Sequence, residues 1–156
     1  MFFLRHAQSR HNAYGEKKRD SDLSKHGVEQ ARSIECDRAF DIVVCSPLRR
    51  CRKTLELSGI QYNELIIEPF AREQLSFKSD LLQGEKFTGK ETKEDFVSRI
   101  KELRLRLHEV LKTTDSVLLV AHKYTIKYLT SLDSNGELTR KGLKLANAEM
   151  AICEMQ

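Results

Sequence analysis

The chain has 156 residues, of which 40% are hydrophobic and 32% are charged, and its formal net charge is +4. This length and balance fit one globular domain over residues 1–156. No apolar run approaches the ~20 residues of a membrane-spanning helix, and the first residues lack the apolar stretch of a signal peptide. We therefore expect a cytoplasmic protein without a membrane partner. Acidic residues interleave with the basic ones, which disfavours nucleic acid as a partner.

The cysteines show neither a Cys-x-x-Cys pair nor the His/Cys spacing that is typical of zinc sites. Without an export signal they are expected to be free thiols that fill the core. No metal and no cofactor is expected. The four positions are Cys36, Cys45, Cys51 and Cys153.

Short β-rich runs alternate with helical patterns along the chain, which predicts a layered α/β domain. Helices are expected to begin after Ser24 and Ser46, to run from about Glu91 to Lys112, and to pass through Tyr124 and Leu129. Residues 71–90 are polar and irregular, and loops of this length are often functional. The predicted strands, in chain order, are Phe2–Leu4, Asp41–Cys45, Leu65–Ile67, Val117–Ala121 and Met150–Cys153.

Polar residues that can bind phosphate or transfer protons follow four of these strands. In layered α/β sheets the binding crevice lies beyond the carboxyl ends of the strands. Four strand ends with the same kind of side chain predict one common site at this edge. The pairs and single residues are Arg5-His6, Arg49-Arg50, Arg72-Glu73 and His122.

Six segments, taken in order, resemble the motifs of the histidine phosphatase superfamily, which includes the phosphoglycerate mutases. The resemblance covers nearly the whole chain, and it implies a three-layer αβα sandwich with a mostly parallel sheet and an antiparallel edge strand. The segments are Leu4–Asn12, Leu23–Ala31, Cys45–Thr54, Arg72-Glu73, Val120–His122 and Leu145–Glu149.

The resemblance implies a phosphatase that forms a phosphohistidine intermediate and needs no metal. Arginine forks suit the spread negative charge of a phosphoryl group in its transition state. By this resemblance the catalytic residues are His6 as nucleophile, Glu73 as general acid and base, and His122 beside the equatorial oxygens. The phosphate-binding residues are Arg5, Asn12, Arg50 and Lys123.

Lys123 departs from the family pattern, which has a small residue after the second histidine. Its side chain either points into solvent or adds a positive charge at the pocket mouth. In the second case substrates with a further anionic group are favoured, and nearby lysines could assist. These neighbours are Lys78, Lys86 and Lys90.

Two other functions stay open at this point. A phosphoglycerate mutase is the enzymatic alternative, although mutases of the family are longer. A module that binds a phosphorylated ligand is the non-enzymatic alternative, and the complete catalytic set argues against it. The P-loop-like segment 84–91 lacks the final Ser/Thr that binds magnesium. The expected partner is a small phosphorylated substrate or a phosphoprotein, and the oligomeric state is left undetermined.

Overall fold

The computed structural model describes residues 1–139 and 141–155. Its five strands are Phe2–Arg5 (β1), Phe40–Cys45 (β2), Tyr62–Ile67 (β3), Val117–Ala121 (β4) and Met150–Ile152 (β5). They form one sheet in the order β3-β2-β4-β1-β5. The first four strands are parallel, and β5 pairs with β1 in the antiparallel sense. The predicted mostly parallel sheet with an antiparallel edge strand is confirmed.

Within the described residues, five α-helices connect these strands: Arg10–Tyr14 (α1), Lys25–Arg32 (α2), Arg49–Ser58 (α3), Lys93–Leu111 (α4) and Lys123–Leu129 (α5). Two 3₁₀ turns, at Pro69–Ala71 and Lys78–Asp80, lie in the long connection between β3 and α4. The short helix α1 was not predicted, because its five residues carry no apolar period. In the described part of the chain, no helix has the length and apolar character needed to cross a bilayer.

Apolar side chains cover both faces of the sheet and give the three layers. Consecutive strand residues point to opposite faces, so Phe3 packs with α4 and α5 while Leu4 packs with α3. The α4 stripe is buried at the predicted spacing, with Phe96, Ile100 and Leu103 all inaccessible to solvent. The αβα sandwich is therefore confirmed.

The two predicted serine caps have different outcomes. Ser24 caps α2, since its hydroxyl accepts a hydrogen bond from the Gly27 N–H over 3.0 Å. The cap predicted at Ser46 is wrong, because α3 begins at Arg49 and its N-cap position is Leu48, without a side-chain cap. The Ser46 hydroxyl accepts from the Leu48 N–H at 3.4 Å, ahead of the helix, and is hydrogen-bonded to His122 at 2.8 Å.

The segment after β1 is held from both sides, which fixes the direction in which His6 leaves the sheet. The His6 N–H donates to the carbonyl of Ala121 at 3.0 Å, and the Ser24 N–H donates to the carbonyl of Gln8 at 3.0 Å. A Cβ atom on Gly27 would lie 2.0 Å from that Gln8 carbonyl oxygen. Glycine at position 27 is thus what lets α2 approach the β1 loop so closely.

Candidate active site

A cavity of about 230 Å³ opens at the carboxyl edge of the sheet. The sequence predicted that the polar residues after the strand ends lie together, and the structure agrees: six of the seven predicted site residues line this cavity. His122, the seventh, lies behind the cavity wall and is fully buried. The six lining residues are Arg5, His6, Asn12, Arg50, Glu73 and Lys123.

His6 has one ring nitrogen that is free to act as a nucleophile. Its Nδ1 atom lies 2.6 Å from the carbonyl oxygen of Ala7. A carbonyl oxygen can only accept a hydrogen bond, so Nδ1 carries the proton. In the neutral ring, Nε2 then holds the lone pair.

The surroundings of His6 keep this ring neutral. The residue is only 3% exposed. Its burial lowers the pKa of His6 well below the ordinary histidine value, and the positive charges of Arg50 and Arg5 lower the pKa further. The hydrogen bond to Ala7 acts in the opposite direction but does not outweigh burial. His6 therefore has the protonation state that an attacking nitrogen needs.

Arg50 is held rigidly at the buried end of the cavity, in the first turn of α3. Its Nε donates to Nδ1 of His122 at 3.3 Å, and its Nη1 donates to the Ser79 carbonyl at 2.9 Å. Its Nη2 donates to Oδ1 of Asp80 at 2.9 Å, and both side chains of this ion pair are buried. A guanidinium has five N–H donors, so two of them stay available for phosphoryl oxygens.

Arg5 and Asn12 also have donors that the fold does not use. Arg5 Nη1 donates to the Leu145 carbonyl at 2.9 Å, whereas its Nε is buried without a hydrogen-bond partner among the described residues. Buried donors without a partner are costly and point to a missing acceptor. The Asn12 Oδ1 accepts from the Ser9 N–H at 3.1 Å, so the amide NH₂ group is available as a donor.

His122 is packed against His6, with 5.1 Å between the ring centroids. Since Arg50 donates to Nδ1, the proton of the neutral ring is on Nε2, which donates to the Ser46 hydroxyl at 2.8 Å. Burial, followed by the charge of Arg50, keeps the pKa of His122 well below the ordinary value. In this arrangement both ring nitrogens of His122 are engaged with protein groups, and Nδ1 orients Arg50.

Glu73 lies where the long connection passes the start of α5. Its Oε1 accepts from the Thr125 N–H and its Oε2 from the Tyr124 N–H, each at 3.1 Å. Burial of the carboxyl group raises the pKa of Glu73, and the negative charge of Asp80 raises it further. The hydrogen bonds from the backbone and the charge of Arg50 lower it, but burial is the largest effect. The side chain of Glu73 therefore stays protonated to a higher pH than that of an ordinary glutamic acid.

Lys123 is exposed at the first position of α5 and lines the cavity. Its Nζ lies 5.3 Å from the ring centroid of Tyr124. The predicted assisting lysines Lys78, Lys86 and Lys90 do not line the cavity, although Nζ of Lys90 lies 5.9 Å from the ring centroid of Phe77.

Several site residues were missed by the sequence reasoning, because most of them belong to the irregular loop after β3. The length and polarity of this loop were the one available signal, and no periodic pattern singled out individual positions. Asp80 is the most important omission, since it pairs with Arg50. Further cavity residues that were not predicted are Ser9, His11, Gln74, Ser76, Phe77 and Tyr124.

Comparison with known protein families supports the resemblance found in the motifs. Residues 1–75 match the model of the histidine phosphatase superfamily (branch 1). This match includes Arg5, His6, Asn12, Arg50 and Glu73, whereas His122 and Lys123 lie beyond it. No curated protein matches the chain.

Solved structures share the fold over most of the chain. The α-ribazole phosphatase from Shigella flexneri is 21% identical with a TM-score of 0.64, over 81% of this chain and 75% of that chain. A mycobacterial glucosyl-3-phosphoglycerate phosphatase is 23% identical with a TM-score of 0.60, over 84% and 77%. The phosphoglycerate mutase from Thermus thermophilus is 18% identical with a TM-score of 0.62, over 96% and 89%. These structures confirm the predicted phosphoglycerate mutase-like fold, and the family match confirms the resemblance to the histidine phosphatase superfamily over residues 1–75.

Proposed function

We propose that this chain, whose first 75 residues match the histidine phosphatase superfamily, hydrolyses a phosphomonoester through a phosphohistidine on His6. The observation that carries the proposal is the state of His6. Its Nδ1 proton is held by the Ala7 carbonyl, and its pKa is lowered by burial and by two arginines. A neutral, oriented Nε2 near arginine side chains that can bind a phosphoryl group is suited to attack on phosphorus.

In the first step, Nε2 of His6 forms a bond to phosphorus and the bond from phosphorus to the leaving oxygen breaks. Glu73 gives its proton to that oxygen, so that an alcohol departs. The free donors of Arg5, Arg50 and Asn12 bind the phosphoryl oxygens and offset the charge that spreads over them.

In the second step, a water molecule attacks the phosphohistidine. The Glu73 carboxylate accepts a proton from this water, the bond between nitrogen and phosphorus breaks, and inorganic phosphate leaves. Both groups return to their starting states, so the cycle needs no other reactant. Lys123 adds a positive charge at the open end of the cavity, where it attracts anionic substrates.

His122 completes the proposed catalytic set from behind the cavity wall. In the structure it orients Arg50 through Nδ1. Contact with an equatorial phosphoryl oxygen needs a ring N–H, and Nε2 carries that proton, so the Ser46 hydroxyl would have to release Nε2. We propose that phosphate binding causes this exchange, since the anion is a stronger hydrogen-bond acceptor than a neutral hydroxyl.

Transfer of the phosphoryl group to a second acceptor, as in a mutase, is the other candidate. Chain length does not separate the two functions, because this chain covers 89% of the Thermus thermophilus mutase. Hydrolysis is favoured by the open mouth of the cavity, where Phe77 is 50% exposed and water can reach the intermediate. A mutase has to keep water away from its phosphohistidine.

Turnover is expected to persist when divalent metals are removed. Among residues 1–139 and 141–155, no cluster of three or more His, Cys, Asp or Glu side chains could hold a metal ion. The proposed charge stabilisation comes from arginines instead. The test is a screen of phosphorylated metabolites and phosphopeptides with EDTA present. Complete loss of activity in EDTA, with recovery on adding zinc or magnesium, would contradict the proposal.

The pH dependence of kcat/KM is expected to be bell-shaped, with an acidic limb set by His6 and a basic limb set by Glu73. His6 must be neutral, so activity falls as the pH drops through its lowered pKa. Glu73 must be protonated, so activity falls as the pH rises through its raised pKa. With ordinary values, glutamic acid loses its proton before histidine does, and the opposite shifts bring the two required states together.

The basic limb of this profile is assigned with Glu73→Gln. The ionisation of the substrate is the same for both enzymes, so the difference between their profiles isolates Glu73. A basic limb that is unchanged in the variant would assign that limb to another group.

A further inference from the structure

The cavity has a buried end and an exposed end with different chemistry. His6, Arg50 and Asp80 are 3%, 4% and 5% exposed, respectively, whereas Tyr124 is 42% and Phe77 is 50% exposed. All five line the same cavity. A phosphoryl group bound at the buried end therefore has its leaving group directed towards the two aromatic rings.

Tyr124 is next to the proposed point of bond cleavage. Its backbone N–H donates to Oε2 of Glu73 at 3.1 Å. If Glu73 protonates the leaving oxygen, the rest of the leaving group begins beside Tyr124. The Tyr124 side chain therefore lines the path along which the leaving group departs.

Phe77 is anchored to the phosphate end although its ring is half-exposed. Its N–H donates to Oδ2 of Asp80 at 3.0 Å, and Oδ1 of the same carboxylate accepts from Arg50. The Phe77 ring also contacts the His11 ring, with 4.8 Å between the centroids. Because Asp80 binds both Arg50 and the Phe77 backbone, the buried Arg50–Asp80 pair sets the distance between Phe77 and the phosphoryl site. The Phe77 ring is thereby held at the mouth of the cavity.

We propose that Phe77 and Tyr124 form a subsite for a flat aromatic ring in the leaving group of the substrate. Aromatic rings attract one another through stacked or edge-to-face contacts, beyond the area that they bury. The hydrophobic core does not need either ring, since both are largely in contact with solvent. The inference rests on the proposed function for the orientation of the substrate, but ring binding can be measured without turnover.

The test compares two phosphonates that cannot be hydrolysed and have the same length: benzylphosphonate and cyclohexylmethylphosphonate. Calorimetry with the unmodified chain is expected to give about five- to tenfold tighter binding of the benzyl compound. Phe77→Leu and Tyr124→Leu keep an apolar side chain but remove the ring. Each should abolish most of this preference while changing the affinity for the cyclohexyl compound by less than about twofold.

Phe87→Leu is the matched control, because Phe87 lies in the same loop, is 37% exposed and does not line the cavity. It should keep the full preference. Equal affinity for the two phosphonates, or no binding of either, overturns the subsite. Hydrolysis of benzyl phosphate is measured separately: its absence would contradict the proposed function, whereas equal turnover of benzyl and cyclohexylmethyl phosphate would count against the subsite alone.

Discussion

Replacing His6 with alanine is expected to reduce turnover by on the order of 10⁴-fold or more, as removal of a covalent nucleophile does in other enzymes. The variant loses the Nε2 atom that is proposed to attack phosphorus, and no second ring takes its place. His122 lies 5.1 Å away between ring centroids, but its nitrogens are engaged with Arg50 and Ser46. The loss should appear in kcat for every substrate, because the first chemical step is blocked.

The measurement combines steady-state turnover with rapid quenching at high pH, where a phosphohistidine formed from labelled substrate can be collected. His26→Ala is the matched control, since His26 is exposed on α2 and does not line the cavity. Unchanged thermal unfolding of both variants would exclude a loss through misfolding. A folded His6→Ala enzyme within about tenfold of the parent would rule out the covalent mechanism.

Replacing Glu73 with glutamine should lower turnover by on the order of 10²–10⁴-fold for alkyl phosphates, which have poor leaving groups. Glutamine keeps the size of the side chain, and its amide oxygen can still accept from the Thr125 N–H, so the start of α5 keeps one of its two backbone hydrogen bonds to residue 73. What disappears is the transferable proton. An activated aryl phosphate needs little protonation of its leaving oxygen, and its first step should therefore be much less affected.

The diagnostic quantity is the ratio of the losses for alkyl and p-nitrophenyl phosphate. Glu68→Gln and Glu85→Gln serve as controls, because neither residue lines the cavity. The Glu68 carboxylate accepts from the Phe70 N–H, and the Glu85 carboxylate pairs with Arg72. Equal losses for both substrates in Glu73→Gln would place the general acid elsewhere. A selective loss for alkyl phosphates in one of the controls would identify the residue replaced in that control as the general acid.

The secondary structure was predictable from sequence wherever a short apolar run or a helical stripe was unambiguous. Val117–Ala121 was predicted with its observed bounds, because five consecutive apolar residues in a central strand are buried on both faces. The α4 helix followed from its stripe of buried residues. With these elements in place, parallel strands bring Arg5, Arg50 and His122 to one edge of the sheet, so the location of the site was predictable as well.

The roles of individual residues could not be assigned from the hydrophobic and polar pattern of the sequence alone. The resemblance to a family indicated which histidine to propose as the nucleophile, whereas composition and periodicity treat His6 and His122 alike. Only the coordinates distinguish their environments. The Nδ1 atom of His6 meets a carbonyl oxygen, and that of His122 meets an arginine donor, so the two neutral rings carry their protons on different nitrogens.

Local sequence rules failed at positions where residues distant in the chain also make contacts. A serine followed by proline is typical of a helix start, yet the Ser46 hydroxyl accepts from His122, a residue far away in the chain. The loop after β3 shows the same effect on a larger scale. Its path depends on two ion pairs, Arg72 with Glu85 and Arg50 with Asp80.

The sequence by itself therefore determined the layers, the order of the motifs that carry the proposed site residues, and the edge of the sheet where these motifs meet. These features depend on periodicity and on residues that are close in the chain. The tertiary structure alone decided the tautomers of the histidines, the buried pairing of Arg50 and the position of Phe77 at the cavity mouth. The tautomer of His122 and the pairing of Arg50 with Asp80 depend on polar contacts between distant segments, and burial makes such contacts strong enough to direct the chain. The contacts of His6 with Ala7 and of Phe77 with Asp80 are local, but only the folded chain fixes the direction of these groups.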